Sequence, residues 1–152
     1  MNIAVAADHA GFELKSTVMS QVQEMGQTVV DLGTHDPEQP DDYPDFAQQA
    51  CDAIRQGAAQ RAIVVCGSGV GVSVVANKFP GIRAGVCHDH YSAHQGVEHD
   101  DMNILCLGAR IIGAEVAREI VQAFVSAKFS GEERHLRRLE KIRQIESMFL
   151  KQ

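Results

Sequence analysis

The sequence predicts an α/β fold: one five-stranded parallel sheet with helices on both faces and a further helix at the C-terminus. Three observations carry this. Five short β-prone apolar runs alternate with segments of helical periodicity. Glycines or prolines stand at several of the junctions. Strands separated by helices at this spacing form βαβ units with right-handed crossovers, hence a doubly wound, Rossmann-like three-layer sandwich. The 152 residues suit a single domain over 1–152, and a chain of this size buries about 68–70% of the surface it exposes when unfolded, enough for a core without staples.

The elements follow in order. Asn2–Ala7 is a first strand. From Gly11 to Met25 a helix carries Leu14, Val18, Val22 and Met25 as its apolar stripe, with Gly26 as C-cap. Thr28–Leu32 is the second strand, followed by a loop with Pro37, Pro40 and Pro44 among five acidic residues. A helix is expected from Phe46 to Gln56, ended by Gly57, then a third strand at Arg61–Cys66. The glycine-rich turn Gly67–Gly71 leads into a short helix reaching about Lys78. Ile82–Cys87 reads as the fourth strand, Tyr91–Glu98 as a helix, Ile104–Leu107 as the fifth strand and Ala114–Phe129 as a long helix. The last helix, residues 133–150, sets Leu136, Leu139, Ile142, Ile145 and Phe149 at three- and four-residue steps.

Composition bounds the function. Apolar residues make up 45% and charged residues 22%, as in ordinary globular proteins. A net charge of −6 argues against nucleic acid or an anionic membrane as partner. The charge is unevenly placed: residues 1–133 carry a net −10 and residues 134–152 a net +4. The four cysteines include no C-x-x-C pair, which argues against a zinc ribbon or a dithiol redox site. No run approaches the roughly 18 apolar residues of a membrane span. Met1-Asn2-Ile3 runs straight into a short apolar segment containing Asp8, unlike a signal peptide. The expectation is a cytoplasmic protein with reduced thiols.

In parallel sheets of this kind ligands bind beyond the carboxyl ends of the strands. Asp8 and His9 follow the first strand, Cys66 and the glycine turn the third, Cys87, His88 and Asp89 the fourth, Gly108 and Arg110 the fifth. The glycine turn fits none of the familiar phosphate motifs. A dinucleotide fingerprint from Gly67 would need glycine where Val72 stands, a P-loop needs a lysine after Gly71, and a C-x5-R cradle from Cys66 also fails at Val72. What remains is a glycine-rich turn whose backbone N–H groups favour an anion. Cys66 on that turn is either a reactive thiol or a small buried residue ending a strand.

Asp8-His9-Ala10-Gly11, Asp42-Tyr43-Pro44, Cys66-Gly67-Ser68-Gly69-Val70-Gly71, Ala76-Asn77-Lys78 and Arg134-His135 with Arg138 together resemble the type B ribose-5-phosphate isomerases, a group that includes the galactose-6-phosphate isomerase subunits. The match runs in order over about residues 3–146. The resemblance implies an aldose–ketose isomerisation without metal or cofactor, acting on a sugar phosphate. By family position His99 opens the sugar ring, and an imidazole, whose reference pKa is near 6.5, suits proton transfer in either direction. Cys66 matches the base that moves a proton between C2 and C1 through a cis-enediolate. A subgroup uses a glutamate at the position of Val72 instead, which favours Cys66 here. Backbone N–H groups of Gly67, Gly69 and Gly71 suit the oxyanion, Ser68 moves a proton between O1 and O2, and Asp8 and Tyr43 hold sugar hydroxyls. Arg134 and Arg138, at i and i+4, can approach one phosphate from a single helix face, with His9, His135 and Arg110 completing the clamp.

One departure stands out. Relatives carry His-Asn where this chain has His99-Asp100, and a carboxylate there opposes enediolate charge. It raises the alternatives of a six-carbon aldose phosphate or a tetrulose phosphate as substrate, with a non-catalytic sugar-phosphate-binding homologue as a further rival that Cys66, Ser68 and His99 oppose. His88, His90, His94 and His99 crowd one stretch, yet no H-E-x-x-H is present, and residues beside a substrate pocket account for them better than a metal site. The family builds its site between subunits, and the amphipathic last helix has a face to bury, so a homodimer is expected, with a tetramer as the larger alternative.

Overall fold

The computed structural model describes residues 1–149, so Leu150, the last predicted helical position, and Lys151 of the basic tail lie outside the described residues. The elements run β1 (Asn2–Ala7), a 3-10 turn at His9–Gly11, α1 (Phe12–Glu24), β2 (Thr28–Asp31), α2 (Tyr43–Arg55), β3 (Arg61–Cys66) and α3 (Val70–Ala76). They continue with β4 (Ala84–Val86), α4 (His90–Asp100), β5 (Ile104–Gly108), α5 (Ala114–Ser126) and α6 (Glu133–Phe149). All five strands pair in parallel, in the order β2-β1-β3-β5-β4. The predicted α/β sandwich is therefore observed, and no helix among the described residues is long and apolar enough to cross a membrane.

Side chains alternate across the sheet with period two, and its two faces differ in size. Ile3, Val5, Ile63, Val65, Leu105 and Leu107 face α1, α4 and α5, where Val18, Val97, Ile120 and Phe124 meet them. Ala4, Ala6, Ala62, Val64 and Cys106 face α2 and α3, where Ala47, Ala50, Cys51, Val72 and Ala76 meet them. Burial on both sides explains the unbroken apolar runs of the strands. Each large aliphatic chain fully buried on the first face contributes about 1.5–3 kcal/mol.

Among the boundaries that differ from the sequence reading, four have a clear local reason. α2 begins at Tyr43 rather than Phe46, because Pro44 occupies the first turn, where its missing N–H is harmless. β4 is shorter than Ile82–Cys87, being an edge strand paired only with β5 over Ala84–Val86. α4 extends to Asp100, so His99 and Asp100 sit in its last turn. α5 stops at Ser126, where Ala127 turns extended and the Arg61 guanidinium donates to the carbonyls of Phe124 (2.5 Å) and Ala127 (2.8 Å). A cation on the orphan carbonyls of a helix end satisfies them and complements the helix dipole.

The topology positions the site. The chain leaves β1 for β2 on one side and returns to β3 on the other, so the carboxyl ends of β1 and β3 flank a crevice. Asp8 follows β1 directly and Cys66 ends β3.

Candidate active site

The crevice is built around the turn after β3. Gly69 adopts φ +79, a conformation that favours glycine, and this folds its N–H back to donate to Cys66 Sγ at 3.1 Å. The sulfur is buried yet lines a cleft of about 360 Å³, together with Asp8, His9, Ala10, Tyr43, Gly67, Ser68, Gly71 and Arg110. An N–H aimed at sulfur stabilises negative charge there. Burial pushes the Cys51 thiol up to about 12 and the Cys87 thiol to about 11, and raises Cys106 further. The turn uses some of its own amides, since Gly69 N–H goes to Cys66 and Val70 N–H to Ser68 Oγ at 3.2 Å. Fewer are left for an oxyanion than the sequence suggests.

Around that turn the walls are close-fitting. The Tyr43 ring lies against Gly71, where a Cβ would come within 2.8 Å of it, so glycine at 71 is what admits the aromatic wall. Asp8 is buried and its Oδ1 accepts from Gly11 N–H at 3.0 Å, holding the start of the helical segment. Arg110 is tied to the turn by its backbone N–H, which donates to Gly67 O at 3.0 Å. On the exposed rim His9 Nδ1 lies 2.5 Å from Asp41 Oδ1. That hydrogen bond holds the His9 pKa above its usual value. Asp8, His9 and Asp41 also offer ligand atoms within 4.8 Å of one another. The Nδ1 of His9 and Oδ1 of Asp8 are already engaged in the hydrogen bonds just described.

The remaining predicted residues form a second group, outside the lining of this cleft. His99 and Asp100 end α4; Arg134, His135 and Arg138 stand on the first turns of α6. The rings of His99 and His135 stack at 4.2 Å between centroids and 25°. Gln95 Nε2 lies 2.9 Å from His99 Nδ1; donating its amide N–H there, it leaves the ring proton of neutral His99 on Nε2. His135 is 1% exposed, so its ring is enclosed rather than presented to an anion as expected, and its Nδ1 bonds Ser130 Oγ at 2.6 Å. Desolvation, followed by the charges of His99 and Arg134, lowers its pKa. Arg134 and Arg138 are exposed, Arg134 pairing with Glu132 at 2.9 Å. Asp100 is exposed, and among the described residues its carboxylate makes no hydrogen bond or ion pair.

The other histidines have structural partners. His88 precedes α4 rather than lying on it, and its Nε2 accepts from Gly108 N–H at 2.9 Å, joining the ends of β4 and β5. His90 and His94 stack at 6.5 Å, and His94 lies 3.3 Å from Glu98. The sequence reading missed Asp41, Gln95 and Ser130. Gln95 was within reach, being one helical turn before His99. The contact of Asp41 with His9 crosses 32 positions and carries no local signal.

Comparison with known proteins agrees with the fold and with the family resemblance. The family model described as Ribose/Galactose Isomerase matches residues 3–142. Ribose-5-phosphate isomerase B of Escherichia coli (strain K12) is 44% identical over 144 residues, covering 95% of each chain. D-erythrulose-4-phosphate isomerase of Pectobacterium atrosepticum is also 44% identical, over 133 residues and 86% of each chain. The structure of Clostridium thermocellum ribose-5-phosphate isomerase B superposes with a TM-score of 0.93 at 43% identity, covering 98% of this chain and 99% of that one. The Mycoplasma genitalium enzyme, solved with bound ribulose-5-phosphate, gives 0.90 at 37% identity over 96% of each chain. The match of family model, sequence and fold over nearly the whole length places this chain in the ribose/galactose isomerase family.

Proposed function

We propose that the protein interconverts ribose 5-phosphate and ribulose 5-phosphate. The observation that carries the reading is Cys66, a cleft thiol that accepts an N–H from its own glycine turn while the other three cysteines are held as inert thiols by burial. His99 opens the sugar ring, taking the anomeric proton and supplying one to the ring oxygen. The Cys66 thiolate then removes the C2 proton. The electron pair of that C–H bond forms the C1–C2 double bond, and the carbonyl oxygen O1 takes the negative charge of the cis-enediolate. Ser68 moves the hydroxyl proton from O2 to O1, O2 becomes the carbonyl, and Cys66 returns its proton to C1. No electrons leave the substrate. Asp8 and Tyr43 hold sugar hydroxyls, and Arg134, Arg138, Arg110 and His9 receive the phosphate.

The cleft holds the base, whereas the ring-opening histidine and the arginine pair lie outside its lining. We therefore read the enzyme as a homodimer with the active site between subunits, the cleft of one copy facing the α4–α6 group of the other. Leu136, Ile142, Ile145 and Phe149 of α6 are exposed, Phe149 by 78%, and give such a partner an apolar surface. A tetramer of two such dimers keeps the same site. The working unit is then one isomerase domain, acting in the cytoplasm on a small phosphorylated sugar.

A second reading, an isomerase of a tetrulose or six-carbon sugar phosphate, is favoured by the carboxylate of Asp100, unpaired among the described residues, and by the equal 44% identity to the ribose and erythrulose phosphate enzymes. The test is an assay of the purified protein against ribose 5-phosphate, erythrose 4-phosphate and six-carbon aldose phosphates, with deuterium incorporation from solvent as the readout of proton transfer. The highest kcat/KM is expected for ribose 5-phosphate. A higher value for another sugar moves the assignment to the second reading. Failure to convert or exchange any of them sinks the isomerase.

A further inference from the structure

The acidic loop between β2 and α2 looks like solvated linker, yet one of its carboxylates reaches the rim of the cleft. Asp41 Oδ1 accepts from the His9 backbone N–H at 3.2 Å and meets the ring Nδ1 at 2.5 Å. The Asp41 side chain is only 12% exposed, against 51% for His9, and its second oxygen, Oδ2, is enclosed without a partner among the described residues. A largely buried carboxylate with one oxygen unsatisfied is costly unless a cation stands beside it. The group beside it is the His9 imidazole.

We propose that Asp41 is a positioning residue: it fixes the His9 ring and holds it as an imidazolium, so that Nε2–H is presented to the phosphate of the substrate. The inference rests on the reading of His9 as a phosphate donor and adds the residue that makes it one. With Nδ1–H occupied by Asp41, Nε2 is the nitrogen left for the cleft that His9 lines. A neutral ring in this orientation would present a lone pair there and repel an anion. An imidazolium donates instead, in a charge-assisted bond. The charged groups that face His9 come from three places: Asp41 from the loop, Asp8 from the end of β1, and Arg110 from beyond β5. The hydrogen bond to Asp41 is the largest influence and raises the pKa; desolvation lowers it, the charges of Asp41 and Asp8 raise it, and Arg110 lowers it. The balance is upward, so the ring stays cationic to higher pH than an ordinary histidine.

Asp41→Asn separates charge from geometry, because its amide oxygen can still accept from the His9 N–H groups. The expected result is a KM for ribose 5-phosphate raised about three- to tenfold near pH 8 and approaching wild type near pH 6, with the loss on KM rather than kcat. By ring-nitrogen NMR the His9 titration should shift to lower pH in the variant. In the wild type near pH 7.5 both ring nitrogens should be protonated, a measurement that needs no variant to fold. His9→Asn should raise KM, and Asp41→Asn should add little on top of it. If His9→Asn leaves KM unchanged, the reading of His9 fails. If His9→Asn raises KM while Asp41→Asn moves neither KM nor the His9 titration, Asp41 loses its role and His9 keeps its own. A neutral wild-type ring near pH 7.5 also overturns the proposal, as does a KM increase that is the same at every pH.

Discussion

His9 and His135 stand in the two halves of the candidate site, and their surroundings push them in opposite directions. His9 is half-exposed on the cleft rim, gripped by a carboxylate, and its pKa is raised. His135 is enclosed beneath His99, gripped by a neutral hydroxyl, and its pKa is lowered. In the sequence both stand as members of one phosphate clamp. The structure places one beside a carboxylate at the rim of the cleft and encloses the other against the His99 ring. Residue type gives a histidine its range of behaviour, and only packing selects from it.

The sharpest way to break the division into halves is to disable each in a different chain. Cys66→Ala removes the base and should lower kcat by about 10²–10⁴-fold, as should His99→Asn on the other side. Neither variant is active alone. If the halves meet across a dimer, refolding the two together restores one intact site in each mixed dimer. The mixture then recovers about one quarter of wild-type activity, because about half of the dimers are mixed and half of their sites are intact. Recovery of nothing would mean that each chain builds its whole site by itself.

How much of this was legible in the sequence divides along the same line. The strands were readable because burial on both faces leaves apolar runs such as Arg61–Cys66, and the turns because glycine marks them. The strand order was not, since placing β5 between β3 and β4 depends on long-range pairing. In the cleft, Asp8, Cys66 and Arg110 were found from their places at strand ends, a rule of the fold rather than of local sequence. Tyr43 came through the family resemblance, and the structure puts it on a helix that Pro44 starts rather than prevents. Asp41 was hidden by its own neighbourhood, because four other acidic residues between positions 36 and 45 make any one of them look solvated. The burial of His135 did have a signal: it precedes Leu139, the buried leucine of α6, by one helical turn and shares its face.

Arg138→Ala sharpens the comparison from the phosphate side. Arg134 and Arg138 of α6 are exposed and free of the low dielectric that strengthens charge pairs, so neither is expected to add much to folding. Losing one charge-assisted bond to phosphate is worth about 1.5–3 kcal/mol, roughly a 10- to 150-fold rise in KM, with thermal stability nearly unchanged. An unchanged KM would take the terminal helix out of phosphate binding. Arg134→Ala should cost less, since Glu132 already competes for its guanidinium at 2.9 Å.

The smallest effect is the most direct test of the two histidines, and its sign differs between them. His135 has a folded pKa below its unfolded value near 6.5, so its contribution to stability is present above that pH and lost as pH falls toward the folded pKa. The groups facing it are His99 from α4, Glu132 from the loop before α6, and Arg134 and Arg138 from α6 itself. His9 has a folded pKa above its unfolded one, so its contribution is present below about 6.5 and lost as pH rises through the folded value. Urea unfolding across this range should therefore lose its acid-side slope in His135→Phe and its alkaline-side slope in Asp41→Asn. Asp31, whose carboxylate is held low by the hydrogen bond from Lys15, acts only at more acid pH, as pH falls below about 4 toward its folded value. A His135→Phe protein that keeps the wild-type acid slope would show that the ring is not held neutral by burial, and the contrast between the two halves would lose its electrostatic basis.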